Sequence, residues 1–212
     1  MRLASLAVFI TLAACGGGGG LVEDDRVATQ TPTERILAFR KDIRRSIDLP
    51  GTAFVAMPTA GTADFDGSTF IAIDPDPLLQ GDEIVLIGAT RVTADFGAGS
   101  LSGRIDRLSG RRGADLRSGR DVAVDGAVAL REGRIGGTVP NDATARYRGS
   151  VTVEDETYSL RGRLSGKFRG TVAARSGTPD APKQLTLAGS GRTVTDSQGQ
   201  RIGGILLVTV DN

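Results

Sequence analysis

The stretch Arg91-Val-Thr-Ala-Asp-Phe-Gly-Ala-Gly-Ser-Leu-Ser-Gly-Arg-Ile-Asp106 decides the fold. Val92, Ala94 and Phe96 alternate with Arg91, Thr93 and Asp95, a period of two that puts the apolar set on one face of a strand. Gly97 to Ser100 supplies turn residues, after which Leu101, Gly103 and Ile105 alternate with Ser102, Arg104 and Asp106. A four-residue loop sets Phe96 opposite Leu101 on the same face. Pattern and turn therefore specify the same antiparallel hairpin.

Working outward, the logic recurs. Tyr147, Gly149, Val151 and Val153 alternate with Arg146, Arg148, Ser150, Thr152 and Glu154. After a turn over Glu154 to Thr157, the apolar face resumes as Tyr158, Leu160, Gly162 and Leu164, with Ser159, Arg161 and Arg163 on the other side. A turn near Ser165-Gly166-Lys167 is expected before Phe168, Gly170, Val172 and Ala174, and further strands over Leu185 to Ser190 and Ile202 to Val210. Each hairpin has a dry face and a wet face, as antiparallel sheets do. A transmembrane barrel needs the reverse, because an outward arginine at mid-bilayer costs roughly 2–4 kcal/mol. Glycines at the inward positions Gly103, Gly149, Gly162 and Gly170 predict tight curvature. The fold expected is mainly β: an antiparallel up-and-down β-barrel of about eight strands, its edges removed by closure.

One short amphipathic helix precedes the barrel. Thr31, Pro32 and Glu34 form a Thr-Pro-x-Glu start, which predicts a capping box with proline at the first helical position. Ile36, Phe39, Ile43 and Ile47 fall on one stripe, basic residues decorate the rest, and Pro50-Gly51 ends the segment. A basic amphipathic helix can lie on a membrane, but the narrow stripe without tryptophan favours packing on the following domain. Upstream, Met1-Arg2 and the apolar run Leu3 to Leu12 are too short to span a bilayer and fit the core of a secretory signal. Leu12-Ala13-Ala14-Cys15 resembles the lipobox of bacterial lipoproteins, which implies cleavage before Cys15 and acylation of that residue. Cys15 is the only cysteine, so no internal disulfide competes for it. Gly16 to Gly20 then reads as a flexible tether. The expected organisation is a signal peptide over 1–14, the acylated cysteine and tether over 15–30, the helix over 31–49 and the barrel over 50–212.

Composition narrows what such a barrel does. Arg2, lost with the signal, is one of 26 basic residues, so the mature chain balances its 25 acidic residues charge for charge. Bulk charge therefore points neither to nucleic acid nor to an anionic surface. Histidine is absent, which removes the Ser-His-Asp and Cys-His arrangements and the commonest metal ligand. The glycine tract is followed by no Lys-Ser/Thr and is no phosphate loop. The chain reads as a non-enzyme without a cofactor.

Gly61-Thr-Ala-Asp-Phe-Asp-Gly67, Val92-Thr-Ala-Asp-Phe-Gly97 with Leu101-Ser-Gly103, Gly166-Lys-Phe-Arg-Gly170 and Arg201-Ile-Gly-Gly-Ile205 resemble, in that order, barrel strands of transferrin-binding-protein-B-like lipoproteins. The resemblance covers residues 51–212. It implies a lipidated outer-membrane or surface protein whose eight-stranded barrel captures a protein or solute, often in iron or haem acquisition. Full-length members have two lobes with handle domains; this chain has room for one barrel and a helix. The family's transferrin-contacting surface does not carry over.

Arg104 to Arg120 holds six arginines and the turn signals Ser109-Gly-Arg-Arg-Gly113 and Ser118-Gly119, which read as a loop. Arg111, Arg112, Arg117 and Arg120 are the candidate ligand-binding residues, since guanidinium forks grip carboxylates or phosphates bidentately. The alternative is a solvated turn balanced by Asp106, Asp115 and Asp121, in a chain with 23 arginines and 3 lysines. No aromatic residues interleave, which argues against single-stranded nucleic acid. Asp74-Pro-Asp-Pro77 with Asp82 and Glu83 reads as a stiff turn more simply than as a calcium site. Tyr147 and Tyr158 share the inward parity and would sit close across their hairpin; core hydrogen bonding explains them better than haem ligation. The expected partners are the membrane, through lipid, and an unidentified protein or solute held by a monomer. The competing expectation is a ligand-free structural or interaction lipoprotein whose barrel is packed solid.

Overall fold

The computed structural model describes residues 30–74, 83–113, 119–173 and 181–212. The helix α1 (Pro32–Asp48) starts on the expected capping box, with the Thr31 side chain accepting from the Glu34 N–H and Glu34 accepting from the Thr31 N–H at 2.8 Å. A short 3-10 turn (Phe54–Ala56) leads into the strands β1 (Thr62–Asp74), β2 (Ile84–Asp95), β3 (Ser100–Arg112), β4 (Arg120–Val122), β5 (Val124–Ile135), β6 (Asp142–Val153), β7 (Glu156–Ala173), β8 (Ala181–Thr195) and β9 (Arg201–Asp211).

All pairings are antiparallel, and β1 pairs with both β2 and β9, so the sheet closes on itself. The short β4 and then β5 continue along β3, acting as one stave interrupted at Ala123, and the result is a closed eight-stranded barrel. The opening hairpin keeps the expected face but not the expected register: Leu101 stands opposite Ala94 rather than Phe96, and Gly103 opposite Val92, because the pairing closes at Asp95 and Ser100 and Phe96 lies in the turn; Phe96 and Leu101 are both buried. Two further local expectations are corrected. No turn interrupts Ser165-Gly166-Lys167; β7 runs unbroken for 18 residues, and its inward parity continues from Tyr158 to Gly170. The segment expected as a loop from Arg104 is strand as far as Arg112, where β3 ends, and strand again from Arg120 in β4; 114–118 lie outside the described residues.

The inward side chains form one apolar cluster drawn from every long strand. Phe168 of β7 meets Phe65 of β1 and the adjacent Phe96, with ring centroids 5.8 and 5.7 Å apart. Strands β1 and β7 are not neighbours in the sheet, so these rings touch across the lumen. Gly162 makes room for another ring: a Cβ there would lie 2.6 Å from the Tyr147 hydroxyl.

Outside the barrel, α1 covers one wall. Ile36 and Phe39 are buried against Ile87 with Phe70 and Leu207 beside them, and Phe39 stacks on Phe70 at 5.7 Å. Ile47 departs from the expected stripe and is 62% exposed. The buried position near that end belongs to Ser46, whose hydroxyl is 2.7 Å from that of Thr209 on β9. Arg169 of β7 donates to the Leu49 carbonyl at 2.9 Å and so caps the C-terminal end of α1. Thr52 then joins the barrel end, its N–H donating to Phe168 and its carbonyl accepting from the Asn141 amide at 2.9 Å. Near the other end of α1, Arg35 donates to the Arg107 carbonyl at 3.0 Å and to the Ser109 hydroxyl at 2.8 Å, so the helix is tied near both ends to the sheet it packs on. Among the described residues no helix is long and apolar enough to cross a membrane.

Candidate functional site

The strand ends decide where the arginines stand. A β-bulge at Arg107, in the left-handed region at φ 48°, shifts the parity of β3. Before it Leu101 and Ile105 point inward; after it Leu108 packs on the core and Arg112 shares its side. Arg112 therefore faces the barrel mouth, while its neighbour Arg111 faces the start of α1. Arg111 donates to Asp121 at 2.7 Å, to the Thr33 hydroxyl at 2.7 Å and to the Gly119 carbonyl. Arg112 donates to Glu156 at 3.1 Å, with Glu154 3.6 Å away. Arg120 forms a two-pronged contact with Glu154, one arm at 2.9 Å. Tyr158 completes the group by donating to Glu156.

Arg112 and Arg120 thus meet at one mouth on Glu154, joining β3, β4 and the β6–β7 turn, while Arg111 beside them turns to Asp121 and the start of α1. Arg117 lies outside the described residues, as do Cys15 and positions 75–82 of the proline-rich turn. The electrostatics follow from the pairing. Hydrogen bonds from Tyr158 and then Arg112 hold the Glu156 carboxyl below its ordinary value, and Arg120 does the same for Glu154. Burial and the neighbouring Glu156 push the Tyr158 phenol up to about 12. An incoming anion at this mouth competes with Asp121, Glu154 and Glu156 for the guanidinium groups.

Tyr147 and Tyr158 are not close across their hairpin: Tyr147 stands opposite Gly162 and Tyr158 opposite Val151. Both are buried, and Tyr147 hydrogen-bonds Thr193. Among the described residues no group of three or more Cys, Asp or Glu is placed to hold a metal ion.

A second basic surface escaped the sequence reading as a site. On the wall of β6 and β7, Arg146 stands opposite Arg163 and Arg148 opposite Arg161, all on the outer face. The alternation that exposes these residues is plain in the sequence, but their mutual opposition depends on the register. In circular strand order β5–β7 lie across the barrel from the β9–β1–β2 wall that α1 covers. Comparison with known proteins returns no matching family model, no similar curated protein and no similar solved structure.

Proposed function

We propose that this chain is a lipid-anchored lipoprotein of the bacterial outer membrane that captures a protein or solute on the outside of its barrel. The observation that carries the reading is the lumen contact of Phe65 and Phe96 with Phe168, within a continuous inward cluster. Side chains occupy the space a ligand inside the barrel would need, so recognition falls to the outer wall and the mouths. The Leu-Ala-Ala-Cys15 sequence and the glycine run after it support the anchor and tether. The resemblance to transferrin-binding-protein-B-like lipoproteins supplies iron or haem acquisition as the setting.

A second reading, a ligand-free structural lipoprotein of the envelope, is favoured by the mouth arginines, whose charges are met by Asp121, Glu154 and Glu156 within the fold. Two experiments decide. Cys15→Ala is expected to move the protein from the membrane to the soluble fraction, and unchanged retention would reject the anchor. Tagged mature protein incubated with growth medium or host fluid, from iron-limited and iron-replete conditions, is expected to retain a specific partner. An empty result in both favours the structural reading.

A further inference from the structure

The bare wall of the barrel holds a concave site with the charge of an anion receptor. Arg131 on β5 stands directly opposite Arg146 on β6, and Arg146 stands opposite Arg163 on β7. Like charges at opposed positions weaken strand pairing. The carboxylate the chain sets among them is that of Glu132, 3.2 Å from Arg146.

Glu132 is also the irregular residue of β5. It adopts φ 49°, a region that non-glycine residues seldom occupy, and the β5–β6 register jumps there from Arg131 to Arg134. In a regular strand, residues three apart face opposite sides. The bulge puts Arg131 and Arg134 on the same exposed face and turns Gly133 inward against Leu101. The consequence is a cleft of about 450 Å³ lined by Arg134, Arg146 and Arg163 together with Glu132 and Thr144. A strained bulge that gathers like charges around a hollow opposes stability, and such features cluster at binding sites.

We infer that this cleft binds a phosphate group that carries at least two negative charges. Three guanidinium groups against one carboxylate leave two positive charges unmatched, which suits a phosphate monoester or pyrophosphate better than a singly charged carboxylate. Planar guanidinium forks match phosphate oxygens, and the Thr144 hydroxyl adds a neutral donor. The inference rests on the outer wall being the recognition surface; it does not depend on the lipid anchor.

The test uses the full chain carrying Cys15→Ala. Inorganic pyrophosphate is titrated by calorimetry, and flotation with vesicles containing phosphatidic acid, whose headgroup is a phosphate monoester, against phosphatidylcholine vesicles, distinguishes a lipid headgroup from a free phosphate. Saturable binding in either arm is expected. The combined variant Arg134→Ser, Arg146→Ser, Arg163→Ser is expected to weaken it at least about tenfold. Removing three arginines from α1 instead (Arg40→Ser, Arg44→Ser, Arg45→Ser) is expected to leave it within about twofold, because these charges lie on the opposite wall. Arg163→Lys, which keeps the charge and so protects folding, is expected to lose affinity with the planar fork. Binding in neither arm overturns the inference, as does an equal loss in the α1 variant, which would mean bulk charge alone. A partner still captured by the wall while both probes fail overturns the phosphate assignment and leaves the outer-wall reading standing.

Discussion

Gly162 and Gly203 sit in neighbouring parts of one barrel, yet the same substitution has opposite consequences. A Cβ at Gly162 would meet the hydroxyl and ring carbons of the buried Tyr147, 2.6 to 2.8 Å away, while one at Gly203 meets nothing within 4 Å. Gly162→Ala is expected to destabilise by about 1–3 kcal/mol through overpacking. Gly203→Ala is expected to be neutral or to stabilise by up to about 1 kcal/mol, because it restricts the unfolded chain. Denaturant midpoints at a common slope check both. The inward glycines were legible as sites of tight packing, but the ring that claims the space at Gly162 was not, since only the register sets Tyr147 opposite it. Glu156 carries a pH prediction. Its folded pKa lies below the ordinary glutamate value because Tyr158 and Arg112 donate to it. Its contribution is therefore present above about pH 4.3 and lost as pH falls through the lowered value. Melting temperatures across the acid range should show a shallower acid decline for Glu156→Gln than for the parent; parallel curves would contradict the pairing.

At the scale of elements, α1 was the most legible piece because its start is local chemistry. The Thr31–Glu34 capping box and Pro32 lie within four consecutive residues. Its buried face was read less well: Ile47 turns to solvent while Ser46 reaches Thr209, a partner 163 residues away that no helical periodicity reveals. In β7 the glycine at 166 suggested a turn, yet it marks close approach to the Thr186 carbonyl of β8 within an unbroken strand. The opposed arginines of β6 and β7 give this scale its test. Arg148 and Arg161 stand opposite each other, and neither has an ion pair among the described residues. Arg148→Thr replaces a repelled charge by a strand-favouring side chain, so it is expected to stabilise by about 0.5 kcal/mol. That is a rise of about 1–2 °C in melting temperature for a chain of this size, read by calorimetry at low salt. High salt should shrink the gain, because screening already relieves the repulsion in the parent.

The whole molecule joins a covered wall to a bare one. Hydrophobic alternation marked the strands and inward faces of the β2–β3 and β6–β7 hairpins, though not β1 or β5, and glycine spacing suggested closure. Which side chains meet around the circumference was hidden, because bulges, among them those at Arg107 and Glu132, shift parity within strands that otherwise alternate. The same bulges aim Arg112 at the mouth and Arg134 at the outer cleft, so the candidate sites stand where local periodicity fails. Everything proposed for the outer wall depends on a closed barrel with a filled lumen. Closure rests on β1 pairing with β9, Asp66 opposite Asp211 through Asp74 opposite Gly203. Isotope-edited nuclear Overhauser spectroscopy of the Cys15→Ala chain tests it directly. Cross-strand contacts along that register, with slowly exchanging amides on both strands, are the predicted result; fast-exchanging, unpaired edges at β1 and β9 would contradict it.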